Sequence, residues 1–181
     1  MNLTYALDKH DFLQYHLFTA SKSRRIKGQR TRSWLMVSGT MLLLGLLFYE
    51  SSNPFLAYYF WGFGIISFLF YPLYQRKHYK NHYEKFIDDT YKNRVGITAE
   101  ITFDDFAIHT TDVTGESRIN LSELENVTET GDYFYLSLKT GGHLIVPKSK
   151  IGNVPELRVK LKELAGRLNI EFIEDLKWKW K

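Results

Sequence analysis

Two uninterrupted apolar runs dominate the hydrophobic pattern of the first half of the chain. SWLMVSGTMLLLGLLFY covers residues 33–49, and FLAYYFWGFGIISFLFYPLY covers residues 55–74. As helices rising about 1.5 Å per residue, they reach about 25 and about 30 Å, against a hydrocarbon core of about 30 Å. Only ESSNP (residues 50–54), which has turn chemistry, separates them. We therefore predict a transmembrane hairpin of two antiparallel helices over residues 33–74.

Two other interpretations of these runs fit less well. A secretory signal peptide is N-terminal, single and followed by a small-residue cleavage site, whereas the first run begins about thirty residues into the chain without such a site. A buried helical hairpin of a soluble protein is the second alternative. Both runs are too long and too uniformly apolar for it.

The second half of the chain follows the two-residue period of β-strands. From Val95 to Phe103 apolar and polar residues alternate, and five further strands are predicted over 106–110, 117–121, 124–130, 133–140 and 143–147. Leucines at 157, 161, 164 and 168 then predict one helix that begins near Pro155. Strands followed by a helix predict an α+β domain over residues 95–170, with antiparallel strands capped by the C-terminal helix.

Three shorter segments complete the predicted organisation. In residues 1–32, Leu3, Tyr5 and Leu7 alternate as in a strand, and Asp8 resembles the N-cap of a helix that has Asp11 in its first turn. Residues 75–94 predict a helical connector that continues the second span. Residues 171–181 form a tail in which tryptophans alternate with lysines.

The distribution of charge predicts the orientation of the hairpin. The formal net charge is +4, and Lys and Arg crowd both outer flanks, whereas residues 50–54 contain none. By the positive-inside rule, the flanks and both termini are cytoplasmic, and the protein is a two-span protein of the cell membrane. A basic cluster of this kind is also compatible with nucleic-acid binding. Its position beside the two predicted spans is better explained by the positive-inside orientation of the hairpin, so we expect no nucleic-acid partner.

Several of these residues are candidates for contact with lipid. Indoles and cationic side chains both favour the headgroup region of a bilayer. For the tail, the alternatives are a frayed terminus or an edge strand whose indoles pack on the domain. The predicted membrane-interface or lipid-contact residues are Arg24, Arg25, Lys27, Arg30, Arg32, Trp34, Arg76, Lys77, Trp178 and Trp180.

Small residues offer close contact between the two spans. Gly39 and Gly45 lie on the first, and Gly62 and Gly64 lie on the second. Glycine lets helix backbones approach closely in a membrane, so these four positions are predicted packing sites. The GFG run at Gly62–Gly64 belongs to this class and is not a phosphate-binding loop.

No recognisable catalytic constellation is present in the sequence. The chain has no cysteine, which excludes disulfides, thiolate metal sites and a cysteine nucleophile. The carboxylate pairs at 88–89, 104–105 and 123/125 lack a partnering histidine in a suggestive place. His78 and His82 have a metal-ligand spacing without an HExxH pattern. We expect no enzyme activity, metal or cofactor, and the lack of ionisable groups inside the spans also disfavours transport.

The chain resembles bacterial YcxB-like membrane proteins over nearly its whole length. The matching features are the opening LTYALDKHDF (3–12), the strand pair around Phe103 and Phe106, LSEL (121–124), the aromatic strand Tyr133–Tyr135 and LIVPK (144–148). This resemblance implies a two-helix membrane hairpin followed by a pleckstrin-homology-like (PH-like) domain, with a strongly bent antiparallel sheet and a C-terminal helix. It implies no activity and supplies no catalytic residues.

These observations favour a membrane-anchored cytoplasmic binding or regulatory module. Its expected partners are the lipid bilayer and, in addition, a protein, a peptide, a lipid headgroup or a second copy of the chain, bound at the inner leaflet. Exposed strand edges of such a domain are able to accept a partner strand. The alternative is a subunit of a membrane-bound enzyme or transporter whose active residues are assembled with another chain.

Overall fold

The computed structural model of the protein describes residues 1–50 and 54–181. It divides into two compact units, one formed by Met1–Tyr15 and Phe86–Lys179 and the other by His16–Lys85 and Trp180–Lys181. The first is the β unit and the second is the helical unit. The predicted turn at residues 50–54 falls largely on residues 51–53, which lie outside the described residues. The predicted fold class, two long apolar helices followed by antiparallel sheets and a C-terminal helix, is confirmed.

Three helices precede most of the strands: α1 (Lys9–Lys22), α2 (Arg24–Glu50) and α3 (Pro54–Thr90). Helices α2 and α3 contain the two predicted spans, and α3 continues through the predicted connector as one helix. Both are long and apolar enough to cross a membrane, and in each only 11% of the most apolar 18-residue stretch is buried. A core helix of a soluble protein is mostly buried, and these two helices are mostly exposed.

Contacts between α2 and α3 run along the hairpin in antiparallel order. The Gln75 amide donates to the carbonyl oxygen of Arg30 (3.0 Å), and the hydroxyls of Ser33 and Tyr71 are 2.7 Å apart. Further along, the Trp61 indole N–H donates to the carbonyl oxygen of Leu42 (3.3 Å). In hydrocarbon such polar groups need internal partners, and the hairpin supplies them.

Two of the four glycines predicted to pack between the spans do so. A Cβ on Gly45 would overlap the Trp61 ring, and a Cβ on Gly64 would lie 2.9 Å from Leu42 Cδ2. At Gly39 and Gly62 a Cβ would meet nothing within 4 Å, so the prediction is wrong for those two. They lie on helix faces that no described residue approaches, which spacing along the sequence does not reveal.

The first sheet of the β unit has the order β1-β2-β3-β4 and is antiparallel throughout. Its strands are β1 (Asn2–Ala6), β2 (Thr98–Phe103), β3 (Ala107–Asp112) and β4 (Gly115–Asn120). The N-terminal strand therefore belongs to the domain and is not part of a separate segment over residues 1–32. Strand β2 begins later than predicted from Val95, because Gly96 adopts a positive φ of 80° and its N–H bonds to the Leu7 carbonyl.

The second sheet has the order β7-β6-β5-β8. Strands β5 (Leu124–Thr130) and β7 (His143–Pro147) have their predicted bounds, and β6 is Tyr133–Leu138. The predicted tail instead begins with a strand, β8 (Glu171–Asp175), which pairs in parallel with β5 after helix α4 (Val154–Leu168). Parallel pairing follows because β7 runs in the same direction as β5, and α4 is the crossover that returns the chain from the end of β7 to the start of β8.

The hydrophobic core lies between these two sheets and α4. It combines alternate positions of the strands with three leucines of the helix, each fully buried or nearly so. Its largest contributors are Phe103, Ile108, Leu124, Phe134, Leu136, Leu157 and Leu161. The leucine spacing that predicted α4 is therefore its core-facing stripe.

Candidate functional site

A cleft of about 720 Å³ opens at one end of the β unit, between the inner face of the first sheet and the β6–β7 turn. On the inner face of the sheet, β2 carries Ile101 at the closed end of the cleft and Ala99 at its open end. In the same order β3 carries Ile108 and Thr110. Along β4 the same face carries Ile119 and then Ser117. Branched aliphatic side chains fill the closed end, whereas small and polar ones leave space at the open end. The cleft is thus built by the two-residue period of the strands.

Aromatic side chains and a few polar groups form the rest of the wall. The hydroxyl of Tyr15 lies 2.9 Å from Nδ1 of His143, and both residues line the cleft together with Phe12, Tyr91 and Arg94. Burial lowers the pKa of His143 below its ordinary value of 6.5, so the imidazole is neutral at pH 7. Polar side chains such as Asp112, Thr114 and Glu116 also line the cleft, so its wall is an even mixture of polar and apolar groups that can both bury and orient a ligand.

Strand β4 borders this cleft and has a free edge within the described residues, because it is the last strand of its sheet. Its side chains are almost all exposed, and one exposed apolar residue lies at each end of the β3–β4 hairpin. Phe106 precedes β3 and is 80% exposed, and Val113 in the turn is 83% exposed. Exposed apolar residues beside an open strand edge mark a surface suited to a partner strand.

A polar cluster built around the buried Asp11 carboxylate holds the start of α1 against the β unit. Asp8 Oδ1 accepts the N–H of Asp11 and Asp11 Oδ2 accepts the N–H of Asp8, a reciprocal cap that confirms the predicted N-cap. Lys150 Nζ then donates to both carboxylates, at 2.8 Å (Asp8) and 2.6 Å (Asp11). The hydroxyl of Tyr133 donates to Asp11 at 3.0 Å. This cluster positions Phe12 and Tyr15, the α1 residues of the cleft wall.

A second charged cluster lies on the second sheet. Glu129 of β5 is 1% exposed and accepts hydrogen bonds from Lys148 Nζ (2.7 Å) and from Arg158 Nε of α4 (2.9 Å). Burial alone would raise the pKa of this carboxyl. The hydrogen bonds from Arg158 and Lys148 outweigh it and hold the pKa below its ordinary value. Every charge here has a partner, so the cluster joins α4 to the sheet and leaves no group for chemistry.

One histidine–carboxylate pair was not evident from the sequence. His109 Nε2 lies 3.2 Å from Asp104 Oδ2, and both side chains are largely exposed. Water screens such a pair, which makes it a surface ion pair and a poor acid–base site. Within residues 1–50 and 54–181 no group of three His, Asp or Glu side chains is arranged to hold a metal, His78 and His82 included.

The structure distributes the predicted lipid-contact residues over the flanks of the hairpin. Arg24, Arg25 and Arg32 are exposed on α2, and Arg76 and Lys77 are exposed on α3. Lys27, Arg30 and Trp34 come together instead, on one face of α2 that lines a cleft of about 310 Å³. Trp178 is half-buried. None of this tests contact with lipid, which stays a prediction for these residues.

Trp180 takes a different position from that expected of a lipid-facing indole. It is only 7% exposed, and its N–H donates to the carbonyl oxygen of Arg76 (3.1 Å). The guanidinium of Arg30 lies over its ring at 4.9 Å from the centroid, and Arg30 Nη2 donates to the Lys181 carbonyl (2.8 Å). Trp180 is therefore a packed indole, but it lies outside any strand and is held within the helical unit by a cation–π contact and a hydrogen bond, not on the β unit as the edge-strand alternative had it.

Sequence reasoning did not identify the cleft of the β unit. Its polar members, Arg94 and His143, are distant in sequence and belong to no motif. The available signal was the change from branched to small or polar residues at inward strand positions, seen at Ala99, Thr110 and Ser117. Reading it requires the register of the sheet, which the sequence does not supply.

Comparisons with known proteins give one match. No curated protein and no solved structure matches the chain. Residues 103–164, which run from the end of β2 into α4, match the model of the YcxB-like protein family, which confirms the predicted resemblance over this part of the chain.

Proposed function

We propose that the protein is a membrane-anchored binding module of the cell membrane, with both flanks of its hairpin in the cytoplasm. The observation that supports anchoring is the exposure of the two long apolar helices. In each of them, only 11% of the most apolar 18-residue stretch is buried. Lys and Arg in both flanks, and their absence from residues 50–54, support the cytoplasmic orientation.

The β unit is the part that recognises a partner, and the partner is an extended segment of another protein. Such a segment adds to the free edge of β4 through main-chain hydrogen bonds and places an apolar side chain in the adjacent cleft. Support comes from three features: the open edge of β4, the exposed Phe106 and Val113 at the two ends of the β3–β4 hairpin, and the aromatic wall of the cleft around Tyr15 and Tyr91. Two sheets and a closing helix are also compatible with the PH-like fold that the family resemblance implies.

The proposed role is non-catalytic. In the cleft the Tyr15 hydroxyl and His143 are hydrogen-bonded to each other, and the charged clusters around Glu129 and Asp11 are internally paired. No described residue of the cleft is a nucleophile activated by a neighbouring base, which a hydrolase or transferase of the serine or cysteine type requires.

Co-purification after cross-linking in cells and mild detergent extraction tests this function. Replacing Phe106 and Val113 by serine should remove the bound partner. Val159→Ser is the matched control, since Val159 is 56% exposed on α4 and does not border the β4 edge. A partner retained equally by both variants would contradict the β4 site. A partner that brings a catalytic centre would favour the enzyme- or transporter-subunit alternative.

Orientation has its own test. A reporter that is active only in the cytoplasm, fused after Lys181, should be active. Silence of that fusion, with an active fusion of an extracytoplasmic reporter, would overturn the proposed topology.

A further inference from the structure

A second cleft lies in the helical unit, where the basic flank of α2 meets α3. Its volume is about 310 Å³, and four of its residues recur on one face of α2 at helical spacing. The opposite wall is formed by two residues of α3 that are about one helical turn apart. The lining residues are Lys27, Arg30, Thr31 and Trp34 from α2, and Pro72 and Gln75 from α3.

The electrostatics of this cleft favour an anion. Two of its lining residues are cationic, one carries a hydroxyl, and none is acidic. Some lysines of this chain are paired with carboxylates, as Lys148 is with Glu129 and Lys162 with Glu174. Among residues 1–50 and 54–181, Lys27 has no ion-pair partner, and the buried Nε of Arg30 has no hydrogen-bond acceptor. The exposed Lys27 ammonium is therefore available to an external anion, and Arg30 Nε is a buried donor that the described residues leave unsatisfied.

The cleft is also rigid on one side. The Arg30 guanidinium contacts the rings of Trp180 (4.9 Å) and Tyr79 (5.8 Å), and the main-chain carbonyl of Arg30 accepts from the buried Gln75 amide. These contacts fix Arg30 before any ligand arrives, which lowers the entropic cost of binding. Lys27 and Thr31, both exposed, are the groups free to close on a bound anion.

The position of the cleft identifies the source of the anion. The apolar span of α2 begins at Ser33, directly after the basic stretch, and Trp34 is its first aromatic residue. Phosphates of lipid headgroups lie at this boundary of a bilayer, and basic pockets between membrane helices on the cytoplasmic side bind such headgroups.

We propose that this cleft binds the phosphate of an anionic phospholipid, a role that rests on the membrane anchoring proposed above. Lys27 and Arg30 supply charge, the Thr31 hydroxyl donates a hydrogen bond, and the Trp34 ring contacts the glycerol region. The remaining flank cations, Arg24, Arg25 and Arg32, do not line the cleft. They attract anionic lipid only diffusely, and this difference makes the site testable.

The test measures lipid retained by the full-length purified protein, by native mass spectrometry from micelles containing phosphatidylglycerol and phosphatidylcholine. Wild type should retain phosphatidylglycerol preferentially. Lys27→Gln should lower that retention roughly tenfold, and Thr31→Val, which changes no charge, should lower it roughly threefold to tenfold by loss of one hydrogen bond. Arg32→Gln, the charge-matched control, should lower it by less than threefold.

Three outcomes separate the possibilities. Equal losses for Lys27→Gln and Arg32→Gln, with no loss for Thr31→Val, would overturn the site in favour of diffuse attraction. Displacement of the lipid by millimolar inorganic phosphate would overturn the lipid assignment in favour of a soluble anion. Alkaline carbonate extraction of the wild-type protein from membranes would show that anchoring itself has failed, whereas a resistant protein without lipid preference rejects only this site.

Discussion

The indole N–H of Trp34 donates to the carbonyl oxygen of Phe68 at 3.0 Å, and Phe68 is four residues before Pro72 in α3. A proline has no N–H, so the Phe68 carbonyl lacks its usual helical donor. Trp34 of α2 supplies the missing hydrogen bond from the neighbouring helix. A proline inside a membrane helix is tolerated under this condition, when another group satisfies the freed carbonyl.

Trp34→Phe should therefore destabilise the hairpin by about 0.5–1.5 kcal/mol, the usual range for one such hydrogen bond. In a Pro72→Ala background, residue 72 supplies the N–H itself, and the same substitution should cost less. Thermal unfolding of the four variants in detergent measures the coupling. Additive effects would show that the Trp34 contribution is packing alone.

Gly45 and Gly39 form a matched pair on α2. A side chain on Gly45 overlaps Trp61, whereas a side chain on Gly39 meets nothing within 4 Å. We expect Gly45→Ala to lower the unfolding free energy by about 1–3 kcal/mol, as overpacking does. Gly39→Ala should leave it unchanged or slightly raised. The unfolding midpoint in detergent is the measurement, and equal midpoints for the two variants would contradict the packing of Trp61 on Gly45.

Glu129→Gln should destabilise the β unit by about 3–5 kcal/mol, because Lys148 and Arg158 lose the charge that they share. Glu123→Gln, at an exposed carboxyl, is the control and should change little. The folded protein holds the Glu129 proton less tightly than the unfolded chain. Its contribution is thus complete above the ordinary pKa of about 4.5 and is lost as pH falls through the lower folded value. Urea unfolding at several pH values should show a flatter acid limb for Glu129→Gln than for wild type.

Lys150→Met should release the start of α1 from the β unit. Asp11 is almost fully buried, and without Lys150 its carboxylate keeps only the Tyr133 hydroxyl and the Asp8 N–H. We expect a loss of about 2–4 kcal/mol for Lys150→Met and about 1 kcal/mol for Tyr133→Phe. Limited proteolysis near residues 7–12 checks the local effect. A larger loss from Tyr133→Phe than from Lys150→Met would contradict this order.

The Asp8–Lys150 contact adds a pH dependence of known sign. The hydrogen bond from Lys150 holds the pKa of Asp8 below its ordinary value of 3.8. The stabilisation is therefore present above that value and disappears as the carboxyl is protonated at lower pH. Lys150→Met should remove this part of the acid sensitivity, and urea midpoints between neutral and acidic pH measure it.

Patterns that depend on local periodicity were predictable from the sequence. The expected bounds hold, fully or nearly, for strands β5 and β7 and for helix α4. One face of each element is buried, and its apolar residues therefore recur at the period of that face in the sequence. The cap formed by Asp8 and Asp11 was predictable for the same reason, because its partners are three residues apart. Such features involve neighbours in sequence.

Features that depend on distant pairing were not predictable. Strand β8 is short, and only its parallel partner β5 makes Glu171–Asp175 a strand. Trp180 was expected to face lipid, and a cation from α2, Arg30, holds it instead. The cleft walls likewise depend on register, since Thr110 and Ser117 face each other across β3 and β4. Periodicity within one segment carries no information about which segment it meets.

The pairing of β1 with β2 has a consequence for the order of events during synthesis. Tyr5 pairs with Ala99, so the first strand of the β unit waits for a partner that the ribosome makes more than ninety residues later. Both apolar helices are translated in that interval. The β unit therefore completes its fold only after both apolar helices have been synthesised, and during that interval the first strand has an unpaired edge that is open to aggregation.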